Sequence, residues 1–593
     1  MNIGSIYHRA SAEMCYMRSE DEVVIHIRTG MDVKAVTIVY SDPFEDPRLI
    51  PDSDGIWGYR EKMIYDKELT DQKWWTVVIH PKWKRLKYHF VLEGCGETFL
   101  LFEEGIFSIE KARHYGAKLA DFTIPWMNPK DVIRVPEWVK DTIWYQIFPD
   151  RFFRKGDICK KENILKWREE GTVSNDERFG GNLKGITEKL DYLHELGISG
   201  IYLMPIHSAG TVHHYDTNDY MRIDPCLGSD DDMRLLVKKA HSLGIRVMMD
   251  AVFNHCGAQF APWLDIVKNG RSSIYFDWFF INSLPLDIVR DTMDGRYYTF
   301  SFFSNMPKLN TNNDEVVEYF KKVCTSWITE YDIDGIRLDA GNEVSHYFIK
   351  QLNHTIKDLK ADFYLLCENW HDSISWLNGE EFDAVTNYMF SDITGRFFMD
   401  VDFTKADFIH GMNACYTRYP EQYLRTCFNM LDSHDTPRLF TRSGGYDVFL
   451  QQLAVLFTFP GSPCIYYGTE IAMEGSLDPD CRRCMPWNSM DTDVRKKARG
   501  DVRALIRLRN EKAALRSTEY RFTCQYEDDR MIEYNRMDSD GNTIRVLLNC
   551  SDHAISFCNE KGHVLFSYKT ENGNMKPGSV CIMKLPQGDC LEK

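Results

Sequence analysis

Residues 335–368 read GIRLDAGNEVSHYFIKQLNHTIKDLKADFYLLCE, and the fold turns on how two of the carboxylates in that stretch, Asp339 and Glu368, are framed. A short strand-like run, Gly335 to Leu338, ends on Asp339. An amphipathic helical stretch follows, and a second apolar run, Phe363 to Cys367, ends on Glu368. The same alternation fills most of the chain, with further runs at Ile143 to Phe148, Gly200 to Leu203, Arg246 to Met249, Ala384 to Tyr388, Cys427 to Leu431 and Pro463 to Tyr467. Continuously apolar strands interleaved with helices imply a parallel sheet covered on both faces, and eight of them imply closure into a (β/α)8 barrel. An open doubly wound sheet is the alternative. Over eighty residues separate the third and fourth runs, and their aromatic-rich part, about 256–310, reads as an inserted subdomain.

Outward from this α/β core, short β-rich runs at Glu22 to Ile27, Lys34 to Tyr40, Trp74 to Ile79 and Tyr88 to Leu92 predict an N-terminal β-sandwich over 1–125. The three prolines of PWMNPKDVIRVPEW, 125–138, mark a linker, so the barrel is expected over 126–515. Strand-like runs return at Met531 to Asn535, Thr543 to Asn549 and Val580 to Leu585, predicting a C-terminal β-sandwich over 516–593.

The net charge of -17 opposes nucleic-acid binding, which needs a basic surface. No apolar run approaches the ~18 residues of a membrane helix, and the start lacks a basic stretch followed by an apolar one. Seventeen cysteines without regular spacing fit a reducing compartment, so a cytoplasmic location is expected. The C-x-x-C pair Cys481 and Cys484 lacks the second pair that a zinc site requires and reads as plain thiols.

Barrel enzymes carry their chemistry at the C-terminal ends of the strands. Four ends here bear carboxylates: Asp250 in RVMMDAVFNH, Asp339 in GIRLDAGNEV, Glu368 in YLLCENWH and Asp435 in FNMLDSHDTPR. One such residue could be a helix cap; four, beside Asn254, His255, Arg337 and His434, are not explained that way. Glycoside cleavage needs one carboxylate to attack or activate water and a protonated one to donate to the leaving oxygen. Arg337, two residues before Asp339, is expected to face the same way and hold it ionised as a nucleophile. Glu368, beside Trp370, is expected to be raised as an acid by an apolar setting. His434 and Asp435 suit sugar hydroxyls, and Tyr215 with His213 suits a sugar platform.

FPDRF, YDTNDY, DAVFNH, NMPKLNT, RLDAGNEV, ENWH, FDAVTNY, LDSHDTPR, GSPCIYYGTE and DPDCRRCMPW resemble the ordered motifs of the α-amylase family, glycoside hydrolase family 13. The likeness is closest to its neopullulanase, cyclomaltodextrinase and maltogenic amylase group and covers nearly the whole chain. It implies a retaining enzyme acting on α-1,4-linked glucan oligosaccharides, with Asp339 as nucleophile, Glu368 as acid/base and Asp435 as transition-state stabiliser. By the same likeness His255, Arg337 and His434 contact the sugar, Tyr215 stacks under it, Asp250 holds the arrangement, and Asp478 with Arg482 borders the next subsite. It further implies a homodimer whose N-terminal domain, with Trp57, Trp74, Trp75 and Trp83, roofs the partner's site. No cofactor is expected to be required. A calcium site common in the group is not carried over, because Lys160 and Lys161 stand where its oxygen donors would be and Asn182 replaces a charged ligand. DVANEV of the group reads DAGNEV here, with Gly341 expected to loosen the start of the helix after the nucleophile. A glucan-transferring enzyme and a non-catalytic glucan-binding barrel are the other readings of the same features.

Overall fold

The computed structural model describes residues 1–46, 58–156, 163–523, 525–557 and 562–586. Eight parallel strands form one sheet: β1 (Trp144–Ile147), β2 (Gly200–Leu203), β3 (Arg246–Ala251), β4 (Gly335–Leu338), β5 (Tyr364–Cys367), β6 (Ala384–Val385), β7 (Phe428–Met430) and β8 (Ser462–Tyr466). Neighbours along the sheet follow chain order from β1 to β6 and from β7 to β8, with β8 beside β1. A parallel bridge between Thr386 and Phe428 joins the two ends, so the sheet closes as a barrel. The open-sheet alternative is thereby excluded.

The barrel is filled by its own side chains. Trp144, Tyr202, Met248, Tyr364, Leu366, Phe428 and Met430 form one buried cluster, with Trp144 stacked on Tyr364 at 5.9 Å. Burying each such side chain contributes roughly 2 kcal/mol, which favours a packed interior over a pore. In the stretch quoted first, Ser345 caps the helix His346–Leu359 by accepting from Phe348 N, and that helix buries Phe348, Ile349, Leu352 and Ile356 on a single face.

Two compact units divide the chain: Met1–Arg134 with Phe403–Leu424, and Val135–Asp402 with Arg425–Lys593. In the first, a four-stranded and a six-stranded antiparallel sheet share a core of Val23, Ile25, Ile27, Val36, Ile38, Trp75, Val77, Tyr88 and Phe90. The segment 403–424 lies within the range expected for the barrel, yet it packs with this N-terminal unit. Asn413 Nδ2 donates to Glu68 O at 2.8 Å, and Arg18 pairs with Glu421 at 2.8 Å. Trp74 and Trp75 are buried and hydrogen-bonded to His26 and Thr29, so they are core and not surface platforms; Trp83 is exposed, and Trp57 lies outside the described residues.

In the second unit the segment after β3 holds a helix, Ala261–Asn269, and is otherwise tied by isolated bridges such as His255 with Lys308 and Thr299 with Pro307. The C-terminal part forms a six-stranded antiparallel sheet. Its strand Asn574–Lys584 begins earlier than the expected Val580 to Leu585, across Pro577 and Gly578, which interrupt the apolar pattern, and it pairs with His563–Glu571, a strand not among the expected runs. Among the described residues, no helix is long and apolar enough to cross a membrane. Twelve described cysteines are free, Cys481 and Cys484 among them and buried; Cys226, by contrast, is disulfide-bonded, which the scattered spacing did not predict.

Candidate active site

Because all eight strands run the same way, the residues that follow them meet at one rim. There a single guanidinium organises three acids. Arg337, 2 % exposed, points Nη1 at both Asp250 oxygens (2.9 and 3.0 Å) and at Asp339 Oδ1 (2.9 Å), while its Nη2 lies 2.9 Å from Glu368 Oε1. The register explains the convergence: Asp250 and Arg337 are paired across β3 and β4, and Asp339 follows two residues on, facing the same way. Ala340 adopts φ 45°, a left-handed turn that aims its N–H at Glu368 Oε2, 2.9 Å away. The hydroxyls of Tyr202 and Tyr215 both donate to Asp250 Oδ2.

Several buried acids share one central cation, and their titration reflects it. Burial pushes the Asp339 carboxyl well above the usual range, Glu368 adds to this by its charge, and Arg337 opposes it without prevailing. Arg337 thus favours the ionised form of Asp339, as the sequence spacing implies, while burial and the neighbouring acids oppose it. Burial likewise raises Asp250 against Arg337, and Asp435 against Arg482. Such a cluster retains a proton that belongs to the group of acids jointly. One carboxyl can donate while another attacks, which is the division of labour that glycoside cleavage needs. The setting of Glu368 also differs from the apolar one expected. Besides Arg337 and the Ala340 N–H, the indole N–H of Trp370 and the hydroxyl of Tyr388 each lie 3.3 Å from Oε1. Trp370 is half exposed and lies flat on Tyr388, ring centres 3.7 Å apart.

A second network follows β7. His434 meets Gln146 Nε2 at Nδ1 (2.8 Å), and at Nε2 it meets the Tyr215 hydroxyl (2.7 Å) and Asp435 Oδ2 (3.1 Å). Burial, with Arg482 and Arg337 nearby, drives its pKa far down, so the ring is neutral. Tyr215 stacks on His434 with ring centres 5.3 Å apart. Arg482 reaches Asp435 (3.3 Å), Asp478 (2.9 Å) and Asn175 (3.0 Å). Only 4 % exposed, Arg482 is no loose surface ion pair. His213 Nδ1 accepts from Tyr215 N at 3.1 Å, and His255 stacks on Phe300 at 4.9 Å.

These groups open onto a cavity of about 540 Å³ lined by His213, Tyr215, His255, Asp339, Glu368, Trp370, His434, Asp435, Asp478 and Arg482. Asp250, Asn254 and Arg337 do not line it; they brace those that do. Asn175, Phe300, Phe303, Asn305 and Met306 complete the lining and were not anticipated individually. The aromatic-rich insert signalled Phe300 and Phe303, whereas Asn175 carried no signal. Gly341 also receives a different account. A Cβ there would come 2.7 Å from Cys367 Sγ, so the glycine permits close packing against the end of β5, and its N–H bonds to Glu368 O at 3.0 Å.

Among the described residues, no group of three or more His, Cys, Asp or Glu is placed to hold a metal ion. Lys160 and Lys161 lie outside the described residues. Asn182 caps the helix Leu183–Leu196, its oxygen accepting from Gly185 N at 2.8 Å and its amide donating to Lys155 O at 2.9 Å.

Comparison with known proteins agrees with this geometry. Residues 146–514 match the α-amylase catalytic domain, and residues 1–128 match the α-amylase N-terminal Ig-like domain. The chain is 40 % identical over 600 residues to a cyclomaltodextrinase of Geobacillus thermopakistaniensis, covering 99 % of this chain and 98 % of that one. It is also 40 % identical over 495 residues to an intracellular maltogenic amylase of Bacillus subtilis, covering 82 % and 81 %. A solved cyclomaltodextrinase structure superposes with a TM-score of 0.87 at 34 % identity over 98 % of this chain and 100 % of that one. A barrel closed by eight parallel strands, an acid cluster at its C-terminal rim and these likenesses together make the chain a glycoside hydrolase belonging to the α-amylase family, in its neopullulanase, cyclomaltodextrinase and maltogenic amylase group.

Proposed function

We propose that this hydrolase cleaves α-1,4-glucosidic bonds in cyclodextrins, pullulan and maltooligosaccharides with net retention of configuration. The observation that carries the mechanism is the guanidinium of Arg337, which faces Asp339 with one nitrogen and Glu368 with the other at the wall of a single cavity. Asp339 attacks the anomeric carbon while Glu368 protonates the leaving oxygen, giving a covalent glycosyl-enzyme; Glu368 then activates the water that releases it. Asp435 and His434 bind hydroxyls of the sugar and stabilise the oxocarbenium-like transition state. His255, His213 and Tyr215 line the same subsite, and Asp478 with Arg482 borders the next. NMR of fresh product tests the mechanism: the α-anomer is expected first, and initial β-anomer overturns it. Product analysis on β-cyclodextrin, pullulan, maltotriose and starch ranks the substrates and shows whether sugar competes with water as acceptor.

The division into 1–125, 126–515 and 516–593 is part of the same reading, as are a cytoplasmic location and a homodimer. The relative from Bacillus subtilis, described as intracellular, supports the location. Exposed apolar side chains on the insert, Val289, Met293, Phe302 and Phe303, and the exposed Trp83 of the N-terminal unit support association. Sedimentation of the whole chain is the test, with a dimer expected. Deleting 1–125 is a poorer one, since it strips the segment 403–424 of its packing.

A further inference from the structure

Lys308 belongs to the insert, where it forms an isolated antiparallel bridge with His255. Its ammonium has three N–H donors and no acceptor. It donates to the backbone carbonyl of Glu343 (3.1 Å), to Glu343 Oε2 (3.1 Å) and, in closer contact, to the side-chain oxygen of Asn254. One charge thus ties together the segment after β3, the insert and the turn Gly341–Glu343 that follows Asp339.

What this does to His255 follows by elimination. An ammonium only donates, so Asn254 must turn its oxygen toward Lys308 and its NH2 the other way, toward His255 Nδ1 at 3.3 Å. That NH2 also only donates, so Nδ1 must accept and the ring proton must sit on Nε2. There the backbone carbonyl of Tyr215, an acceptor only, takes it at 3.0 Å. Burial lowers the pKa of His255 to about 3, so the ring stays neutral while its face rests on Phe300 at the cavity wall.

We propose that Lys308 is a positioning residue for the hydrolytic cleft: by orienting the Asn254 amide it holds His255 in one tautomer and one ring orientation toward the bound sugar. This rests on the cleft being the site of sugar cleavage.

The test is a double-mutant cycle with p-nitrophenyl α-maltoside as substrate, using Lys308→Met, His255→Gln and the pair together. Lys308→Met is expected to lower kcat/KM by about 10- to 100-fold, the scale of a misplaced contact group. The double variant is expected to be no worse than His255→Gln alone, because both changes remove the same contribution. Losses that multiply overturn the proposal, as does a Lys308→Met enzyme within twofold of wild type. If Lys308→Met does not fold, Asn254→Asp decides. It is nearly isosteric, keeps an acceptor for Lys308 and presents an acceptor to Nδ1, so that both ring nitrogens face acceptors and no neutral tautomer satisfies them; a comparable loss is expected, and activity within twofold of wild type overturns the idea. Wild-type enzyme that leaves the maltoside intact defeats the proposed function instead and is recognised as such before any variant is made.

Discussion

Two aspartates bracket the same four-residue strand, and they behave in opposite ways. Asp334 precedes β4 at the closed end of the barrel, 1 % exposed. Its oxygens are met by His241 (2.7 Å), Arg246 (2.8 Å), Lys360 (3.1 Å) and the N–H of Val247 (2.9 Å). Burial works to raise it, but the His241 hydrogen bond, Lys360 and the Val247 N–H outweigh burial and hold it at about 2. Asp339 follows β4 at the open end, is buried almost as deeply, and shares one guanidinium with two other carboxylates. There burial and the neighbouring acids prevail and its carboxyl is pushed up. Depth is similar at the two sites; the ratio of cations to acids differs. A carboxylate surrounded by its own donors serves the fold, and one left short of them keeps chemistry in reserve.

The comparison can be broken most sharply by kinetics. Asp339→Asn, Glu368→Gln and Asp435→Asn are each expected to cut kcat by at least ~10³, on the order of 4 kcal/mol, in steady-state assays on maltotriose. Asp334→Asn should leave kcat near wild type in the folded fraction. Stability should invert the pattern. Removing the Asp334 charge strands its cations and is expected to cost about 2 to 3 kcal/mol in denaturant titrations at pH 7, a loss the Asp339 variant should not show. The pH dependence follows from a depressed pKa. Asp334 contributes stability that is present above its unfolded value near 3.8 and is lost as pH falls through about 2, worth about 2 kcal/mol. Wild type should weaken over that window and Asp334→Asn should not.

At the open end the sign reverses. A raised folded pKa means that ionised Asp339 burdens the fold at neutral pH, so Asp339→Asn is expected to melt at or slightly above wild type, by about 1 kcal/mol or less. The same raised titration predicts that kcat/KM falls on the alkaline side as the last shared proton leaves the cluster. A profile flat from pH 6 to 10 contradicts the shared proton.

Much of this was legible in the chain itself, for a physical reason. Strand-end position is a local property of sequence, so Asp250, Asp339, Glu368 and Asp435 could be read from where apolar runs stop. Arg337 and Asp339 could be read as facing one way from the two-residue period. What the chain could not disclose was counting in space. That Arg337 answers to three acids, so that its pull on Asp339 is shared, depends on β3, β4 and β5 lying side by side. That Trp370 donates to Glu368 and lies on Tyr388 depends on a residue eighteen positions on. The packing of 403–424 with the N-terminal unit was invisible because its helix, Lys405–Tyr416, has no strong sequence mark of the partner it meets.

The contact between Gly341 and Cys367 bears on engineering within the group. The hexapeptide DAGNEV invites replacement by the more usual DVANEV, as a way to graft a relative's acceptor side onto this enzyme. The alanine so introduced would drive its methyl into a thiol on the neighbouring strand, 2.7 Å from sulfur. The displaced atoms adjoin Glu368, whose backbone carbonyl holds Gly341 and whose carboxylate holds Ala340. Such a graft is therefore a two-strand operation, in which Cys367 must shift or shrink as residue 341 grows. Loop exchange at this position is epistatic with the floor beneath it, and a chimera that alters the loop alone would misreport the loop's own contribution to specificity.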